Sequence, residues 1–512
     1  MSFSNRIQKL ASETAVYGVS SIIARMVGFA LFPLYSHFFS PDEYGIVSIV
    51  YAAFIFLNVV YQYGMESAYL KYASDTRSAA DRCLTFSTAV WSLAGTSLVL
   101  SLLIVSIRGT AGTIVGLEPK WLYLLYYAAA ILLLDTLTLV PFAELRLQNR
   151  PWRFAIIRFV GVLVSVGVNL VLIVGMHRGI ASVFIANTAA SAIALLLLIP
   201  TFRASLRWSF DRVLWKKLLL FGLPFVPGGI GYAVNEVVNR FFLESMTPER
   251  VMALYGDRID PAALAAMGKV PDGDYVVGVF SGCIKLAVFM MLVTQMFRYA
   301  WQPFFLQHAR DDDARPLFAR IFAVFTAVAL FVLLGVSFFA QELVALPLPG
   351  GRHLVAESYW MGLFIVPISL LGYVFQGWYY NFAAGAYIEK QTKYFVHCTL
   401  VGSVATLVLN AWLVPQYGML AAAWVTTSSY AIMALMLHFI VRRFYLVPYT
   451  WGRVLALGGV AAMLFSAWYV FPELRNWWAE GGLLVVYAGA VLGLGIIPVS
   501  ALARMRPARM SK

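Results

Sequence analysis

The stretch 218–242 of the sequence, LLLFGLPFVPGGIGYAVNEVVNRFF, determines how the rest of the chain is interpreted. It is long and apolar enough to cross a bilayer, since about 20 apolar residues span the hydrocarbon core. Prolines and glycines interrupt its first half, and such interruptions persist at membrane depth only beside other helices or a water-filled cavity. Its second half places four polar residues on one helical face: Asn235, Glu236, Asn239 and Arg240. The stretch therefore predicts a broken membrane helix with one charged face.

Two interpretations of that face remain open on the sequence. In the first, Glu236 and Arg240 neutralise each other as neighbours one turn apart, and their role is structural. In the second, the face lines a polar transport path, because a charged pair in mid-membrane is costly and usually faces the interior of a helix bundle. Pro224 and Pro227 would then be bending points of the transporter.

The composition is typical of a polytopic helical membrane protein. Of the 512 residues, 61% are hydrophobic and 12% are charged, and the mean hydropathy is +0.77. Soluble domains carry roughly 25% charged residues. The alternating strand pattern of a membrane barrel is absent from the sequence. Cys83, Cys283 and Cys398 are scattered without metal-ligand spacing, so we expect an all-α fold whose cysteines are packing residues.

Apolar segments of membrane-spanning length recur about fourteen times along the chain. The predicted spans are 14–38, 44–68, 84–107, 121–144, 155–176, 179–201, 216–243, 275–300, 318–340, 358–384, 394–414, 418–441, 452–471 and 482–503. We predict an N-terminal six-helix bundle over 1–212 and a C-terminal six-helix bundle over 213–447. Two additional transmembrane helices and a basic tail follow over 448–512. The segment 244–274 looks like an insertion in the loop after the seventh span.

The lysines and arginines predict the orientation of these spans. If the N-terminus lies in the cytoplasm, most of the basic residues fall in cytoplasmic loops, as short loops rich in Lys and Arg do. The net charge of +13 is therefore read as a topology signal, and nucleic acid is not an expected partner. Both termini are predicted to be cytoplasmic. After the basic residues of the inside and outside segments are counted, three remain, and all three lie within spans: Arg25, Arg240 and Lys285.

An internal repeat links the two predicted bundles. The segments 165–188 and 406–427 both read as an asparagine, an apolar half-span, a glycine-containing turn and small residues that open the next span. In this alignment Asn169 matches Asn410, and Gly179 matches Gly418. The offset corresponds to six spans, and an even number of spans leaves both copies in the same orientation. Transporters with such parallel repeats bind substrate between them.

Several segments together resemble the polysaccharide flippase branch, which includes the O-antigen flippases, of the multidrug/oligosaccharidyl-lipid/polysaccharide exporter superfamily. They are SSIIARMVGF, PDEYGIVSIV, YQYGMESAYLKY, LRLQNRPWRFA, FGLPFVPGGIGYAVNEVVNRFFL, VGVFSGCIKLAVFMMLVTQMFRYAWQPFF, KQTKYFVHCTLVGSVATLVLNAWLVPQYGMLAAAW and RRFYLVPY. The resemblance covers nearly the whole chain, and it lies in the order and spacing of these segments. It implies two six-helix bundles around a central cavity and the transfer of lipid-linked oligosaccharides from the inner to the outer leaflet. It also implies that the first-span arginine, Arg25, grips the lipid pyrophosphate.

The candidate site residues are the polar and charged residues of the spans. Arginine suits a pyrophosphate because its planar fork matches phosphate oxygens. We predict a cationic substrate-binding cavity formed by Arg25, Arg240, Lys285 and Arg298. The predicted polar cavity face comprises Asn235, Asn239 and Gln295, and the candidates for coupling or charge pairing are Glu66, Asp135 and Glu236. A desolvated carboxylate can exchange a proton or hold Na⁺, so H⁺ or Na⁺ is the expected coupling ion and no other cofactor is expected.

Structural alternatives accompany these assignments. Arg25 would instead pair with Glu66 or Asp135, Glu66 with Lys71, and Glu144 with Arg146 or Arg150. Arg298 would extend to the membrane interface, as long basic side chains do. The cluster Tyr299, Trp301, Phe304 and Phe305 would form an interfacial aromatic belt.

The sequence thus predicts a transporter that flips an undecaprenyl-pyrophosphate-linked oligosaccharide for polysaccharide or lipopolysaccharide biosynthesis. Its partners would be that lipid, membrane lipids and polysaccharide assembly proteins, and its location the bacterial cytoplasmic membrane. Motifs of hydrolases, nucleotide-binding enzymes and zinc enzymes are absent, so no catalytic residue is predicted. The alternatives are a drug or cation antiporter of the same fold and a membrane-embedded oligosaccharide polymerase or ligase.

Overall fold

The structure, a computed structural model, describes residues 26, 28–76, 78–259, 261, 264 and 268–496. These residues are almost entirely helical, which confirms the all-α prediction. After helical residues 28–38 (α1) come α2 Pro41–Gln62, α3 Met65–Ser74, α4 Ala79–Ser106, α5 Arg108–Ile114, α6 Leu124–Leu147, α7 Pro151–Asn169, α8 Ala181–Ser205, α9 Arg212–Gly222, α10 Phe225–Glu244 and α11 Pro248–Tyr255. Then come α12 Gly273–Ile284, α13 Val288–His308, α14 Ala314–Phe338, α15 Ala340–Val344, α16 Val366–Ile388, α17 Lys393–Tyr417, α18 Met419–Val441, α19 Trp451–Val470 and α20 Trp477–Gly493.

Short elements complete this list. A π-helix follows α7 over Leu170–Gly175, and a two-stranded antiparallel ribbon pairs β1 Pro347–Leu348 with β2 Arg352–His353. The 3₁₀ segments are Pro119–Trp121, Gly256–Arg258, Lys285–Ala287, Glu357–Ile365 and Pro472–Leu474.

The helices agree with the predicted membrane spans. Among the described residues, eleven helices are long and apolar enough to cross a membrane, and the bent pair α9–α10 raises the number to twelve. The helix α20 is apolar but shorter, and it overlaps the predicted fourteenth span. The predicted first span begins outside the described residues, and its end coincides with α1. The chain is therefore a multi-pass helical membrane protein.

Two compact units are present. The first comprises the described residues up to Gly282 together with 355–361 and 403–422. Within it α6 and α7 pack on α8, α4 packs on α6, and the pairs α2–α10 and α3–α9 run side by side. In the second unit α13 and α14 pack on α16, and α14 also packs on α19 and α20. The predicted division into bundles at residue 212 derives from the repeat and stays a prediction.

The matched asparagines of the repeat have the same local structure. The side-chain nitrogen of Asn169 donates to the carbonyl of Ser165 at 2.8 Å, and that of Asn410 donates to the carbonyl of Thr406 at 2.8 Å. Both side chains are buried, with 1% and 0% of their surface exposed. A buried carboxamide needs a hydrogen-bond partner, and each asparagine finds it one turn back in its own helix. The alignment of the two segments therefore matches residues with one structural role.

The insert after the seventh span clamps the turn between α17 and α18. The guanidinium of Arg250, on α11, donates to the carbonyls of Pro415 and Gln416 at 2.8 and 2.6 Å. These carbonyls lie at the end of α17, where helical acceptors have no intrahelical donor. The hydroxyl of Tyr255 accepts from the backbone nitrogen of Met419 at 2.7 Å, and burial raises the pKa of Tyr255 to about 12. The insert thus caps one helix and the start of the next.

The predicted orientation can be tested with two exposed positions. Val270 lies in the loop before α12 and Asp312 in the loop before α14, and both side chains are exposed. In a background without native cysteines, Val270→Cys is expected to react with a membrane-impermeant maleimide in intact cells, and Asp312→Cys only after lysis. Labelling in the opposite order would reverse the orientation.

Candidate functional site

The seventh span is broken where the sequence predicts. The helices α9 and α10 meet at a bend of 41°. Gly222 ends α9 and Pro224 is the N-cap of α10. Pro227 lies in the first turn of α10, where a missing backbone N–H costs little because the first N–H groups of a helix have no helical acceptor. The bend is therefore at 223–224, and Pro227 is accommodated without a second break.

A second helix break packs directly against this one. The helices α2 and α3 are separated by Tyr63 and Gly64, which both have left-handed backbone conformations, with φ of 31° and 71°. A Cβ atom placed on Gly64 would overlap the carbonyl oxygen of Gly222. The hydroxyl of Tyr63 is hydrogen-bonded to that of Ser92 at 2.8 Å, which anchors the break to α4. Two broken helices therefore run side by side with their breaks in contact, and the sequence predicted only one of them.

The polar face of α10 divides into two parts. Asn235 and Asn239 are buried, with 2% and 3% of their surface exposed. Thr406 donates its hydroxyl to the side-chain oxygen of Asn235 at 2.9 Å, and Ser403 donates to the carbonyl of Gly231 at 2.8 Å. The two asparagines therefore lie on the side of α10 that packs against the segment 403–422. Such interhelical hydrogen bonds of Ser, Thr and Asn side chains are common between membrane helices.

Glu236 and Arg240 form the other, half-buried part. The guanidinium of Arg240 donates to the hydroxyl of Ser281 on α12 at 3.3 Å and to the backbone carbonyl of Glu236 at 3.3 Å. It also lies close enough to Tyr44 on α2 for an electrostatic interaction. These contacts orient the guanidinium and do not themselves neutralise it. The structure thus places a charged side chain with a fixed direction on the helix that follows the break.

The helix α12 approaches this region through glycines. A Cβ atom on Gly278 would overlap the carbonyl oxygen of Pro41, and one on Gly45 would overlap that of Asp274. Small residues let membrane helices approach with their backbones in contact. This close approach brings α2 and the beginning of α12 together, one turn from Ser281.

Three predicted site residues lie in the second unit. Lys285 is half-buried and opens the 3₁₀ turn that separates α12 from α13, so it too lies at a helix break. Gln295 is half-buried. Arg298 is exposed and its guanidinium lies over the ring of Tyr380, 5.0 Å from the centroid, which is a cation–π contact.

The predicted aromatic belt is wrong for two of its four members. Trp301 and Phe305 are buried, with 3% and 1% of their surface exposed, and Trp301 packs edge-on against Phe318 at 5.2 Å between ring centroids. Tyr299 is exposed, as an interfacial residue would be. The run of aromatics therefore alternates between the core of the second unit and its surface, which follows from helical periodicity.

Asp135 lies in a polar cluster of the first unit. Its carboxylate accepts a hydrogen bond from Ser191 on α8 at 2.6 Å. One turn earlier on α8, Asn187 donates to the hydroxyl of Tyr51. The guanidinium of Arg158 interacts electrostatically with Asp135 and lies over the ring of Phe142, 4.2 Å from the centroid. The sequence indicates Asp135 but not Ser191, Arg158 or Tyr51, because these neighbours come from three other helices.

Two acids, one near the start of α3 and one near the end of α6, have partners other than the predicted ones. Glu66 forms an ion pair with Arg146, whereas Lys71 pairs with Asp75 at 2.9 Å. Glu144 is buried and accepts from Arg82 at 3.1 Å, from Tyr69 and from Gln148. The predicted pairs of Glu66 with Lys71 and of Glu144 with Arg146 or Arg150 are therefore wrong. These fully bonded carboxylates tie α3, α4 and α6 together, which is a structural role.

Arg25 lies outside the described residues, so its predicted role stays a prediction. Within the described parts of the chain, no group of three or more His, Cys, Asp or Glu side chains is placed to hold a metal ion. Among the described residues of the first unit, the polar clusters that contain predicted site residues without an assigned structural role are one around Glu236 and Arg240 and one around Asp135. Both contain ionisable side chains inside membrane spans, where they are costly and commonly functional.

Comparisons with known proteins agree with this architecture. The family model described as "Polysaccharide biosynthesis protein" matches residues 35–257. A search of the curated proteins found no match. Among solved structures, the lipid II flippase MurJ in an inward closed conformation is similar with a TM-score of 0.70 and 13% identity, over 93% of this chain and 98% of that one.

Two transporters of the MOP superfamily have the same fold. An inward-facing multidrug resistance MATE family transporter is similar with a TM-score of 0.58 and 12% identity, over 83% of this chain and 94% of that one. A transporter from Pyrococcus furiosus is similar with a TM-score of 0.52 and 12% identity, over 85% and 95%. At these identities the likeness shows the fold. The family model agrees with the resemblance read from the sequence over residues 35–257, and the solved structures show that this chain shares their fold.

Proposed function

We propose that this protein flips an undecaprenyl-pyrophosphate-linked oligosaccharide from the inner to the outer leaflet of the bacterial cytoplasmic membrane. The observation that carries the proposal is the match of residues 35–257 to a polysaccharide biosynthesis family. The fold supports it, since a flippase for another lipid-linked sugar, lipid II, is built in the same way. The product would serve polysaccharide or lipopolysaccharide (O-antigen) synthesis, and assembly proteins would be further partners.

The chemistry of the substrate matches the basic residues of the spans. A pyrophosphate cannot enter the hydrocarbon core without replacement of its hydration shell, because an unpaired charge in a low dielectric costs many kcal/mol. Arginine donors replace that shell with charge-assisted hydrogen bonds. We assign this role to Arg25, Arg240, Lys285 and Arg298. The contacts of Arg240 with Ser281 and with the carbonyl of Glu236 support it, because they fix the direction of the guanidinium.

The same geometry suggests how transport is driven. Glu236 precedes Arg240 by one turn and follows the break at Gly222–Pro224. A carboxylate on the helix that follows a bending point can bind H⁺ or Na⁺ in one conformation and release it in another, which couples the bend to an ion gradient. We therefore propose Glu236 as the coupling residue of a secondary transporter, with Asp135 as a second candidate in its own cluster.

A drug or cation antiporter is the competing function, since a multidrug transporter shares the fold. A cationic substrate favours an anionic cavity, whereas the proposed binding residues of this chain are basic. A polymerase or ligase is less favoured, because no catalytic motif is present in the sequence.

Deletion of the gene in its host tests the proposal. The expected result is loss of surface polysaccharide with accumulation of lipid-linked oligosaccharide in the inner leaflet, restored by the intact chain. Unchanged surface polysaccharide together with increased drug susceptibility would instead establish the antiporter. Retention of surface sugar as single, unpolymerised units would establish a polymerase.

A further inference from the structure

The linker 206–211 between α8 and α9 is held rigidly on one face of α4. The backbone nitrogen of Arg207 donates to the hydroxyl of Ser87 at 2.7 Å, and the indole nitrogen of Trp91 donates to the carbonyl of Arg207 at 3.1 Å. The backbone nitrogen of Asp211 donates to the hydroxyl of Thr88 at 3.2 Å. Ser87, Thr88 and Trp91 on α4 therefore hold the linker near both of its ends.

The beginning of α9 is fixed in the same way. The carboxylate of Asp211 accepts from the backbone nitrogens of Val213 and Leu214 at 2.7 and 3.1 Å, which caps the helix. The indole nitrogen of Trp215 donates to the hydroxyl of Ser92 on α4 at 2.8 Å. Asp211 is the only acid between residues 203 and 222, and the five basic residues of this stretch outnumber it.

This fixed segment presents a large aromatic side chain outward. Trp208 has 94% of its surface exposed, although its ring packs on that of Trp91 with centroids 4.8 Å apart. Phe210 is 44% exposed. An indole on an ordered backbone, apolar in its body and polar at one edge, is suited to the boundary between water and lipid.

Basic and aliphatic side chains share the exposed face of α9. Val213, Lys216, Lys217 and Leu220 follow the spacing i, i+3, i+4 and i+7, so they lie on one side of the helix, and all four are exposed. The opposite side, with Leu214 and Leu218, packs into the core of the first unit. Arg203, Arg207 and Arg212 are exposed close by. A helix with lysines between large aliphatic residues fits an interfacial position, where lysine stems cover apolar surface and the ammonium groups reach the headgroups.

We propose that these residues form a binding platform for anionic phospholipid headgroups, defined as Arg207, Trp208, Arg212, Lys216 and Lys217. The charge of the platform is complementary to a phosphatidylglycerol headgroup, and the exposed indole and aliphatic side chains are complementary to its glycerol backbone and upper acyl chains. Because the linker leads into the bent helix pair α9–α10, a lipid on the platform would contact α9, the helix that precedes the bend. The proposal rests on these contacts and not on the transported substrate.

Lipid binding to the purified full-length protein tests the platform. The protein in neutral detergent is titrated with phosphatidylglycerol or with phosphatidylcholine, and the bound lipids are counted by native mass spectrometry. The variant in which Arg207, Arg212, Lys216 and Lys217 are all replaced by Gln is expected to bind phosphatidylglycerol at least about tenfold more weakly, since each basic residue near an anionic surface contributes roughly fivefold. Trp208→Ser is expected to weaken binding of both lipids.

The matched control is the double variant Arg442→Gln with Arg443→Gln, which removes two exposed basic residues from another predicted cytoplasmic loop. It is expected to lose much less phosphatidylglycerol binding than the platform variant, because it keeps the platform's cluster of four basic side chains and an exposed indole. All variants are expected to melt near the temperature of the unaltered chain, because the altered side chains are exposed and are not needed for folding. Equal binding of phosphatidylglycerol by the platform variant and the control, or equal affinity of the unaltered chain for the two lipids, would overturn the proposal. Because no transport is measured, this outcome is independent of the proposed flippase activity.

Discussion

Glu236→Gln is expected to leave the protein at its normal level in the membrane while export of surface polysaccharide falls by roughly tenfold or more, equivalent to about 1.4 kcal/mol. The substitution keeps the shape of the side chain and removes its ability to exchange a proton or hold a cation. Arg240 retains its hydrogen bonds to the hydroxyl of Ser281 and to the carbonyl of Glu236, which do not depend on the carboxylate. The loss should therefore appear in transport rather than in folding.

The double change Glu236→Gln with Arg240→Gln separates coupling from charge balance. If Glu236 served only to neutralise Arg240, removing one partner of a buried pair would cost about 3–5 kcal/mol and lower the protein level. The double variant would then recover level and export together. If Glu236 couples an ion gradient, the double variant stays inactive at normal level. Abundance and export measured in the same cells decide between the two, with Ser281→Ala as a control that loosens Arg240 without a change in charge.

Gly64→Ala is expected to destabilise the first unit strongly. An alanine at φ of 71° is strained by about 1–2 kcal/mol, and its Cβ would overlap the carbonyl oxygen of Gly222. Overpacking against a backbone atom adds about 1–3 kcal/mol. The contact joins the breaks of α2–α3 and α9–α10, so the two helix pairs would have to separate.

The matched control is Gly228→Ala on α10, where a Cβ atom would meet nothing within 4 Å. Alanine is favoured over glycine in a helix by roughly 0.5–1 kcal/mol, so this variant is expected to melt at or above the temperature of the unaltered chain. The melting temperature of the purified proteins and their abundance in membranes measure both effects. Equal melting temperatures for Gly64→Ala and Gly228→Ala would show that the two breaks are not in close contact.

The break at Tyr63–Gly64 shows a limit of reading spans from hydropathy. The sequence predicted one uninterrupted span over 44–68, because a single glycine in an apolar run carries little information. The broken seventh span was predicted, because two prolines and four glycines cluster in its first half. The cluster contacts Gly64, which lies at the break between α2 and α3, and no pattern in the sequence around Gly64 identifies this contact.

The candidate site shows the same limit. Helical periodicity placed Asn235, Glu236, Asn239 and Arg240 on one polar face, and the structure keeps them adjacent. It also turns the two asparagines toward Thr406 and the segment 403–422, which the periodicity of α10 alone does not reveal. Asp135 was recognised as a costly acid, but Ser191, Arg158 and the Tyr51–Asn187 pair near it come from helices distant in sequence.

The sequence alone determined the membrane class, the positions of the spans, the broken seventh helix and the matched asparagines Asn169 and Asn410. These features depend on segment length, hydropathy and local hydrogen bonding, all of which act within a few turns of one helix. Only the tertiary structure decided that Glu66 pairs with Arg146 and Glu144 with Arg82, that Arg250 and Tyr255 clamp the turn 415–419, and that the two helix breaks meet. Such partners are selected by which helix faces pack together, and many pairings of apolar helices satisfy the same hydropathy pattern.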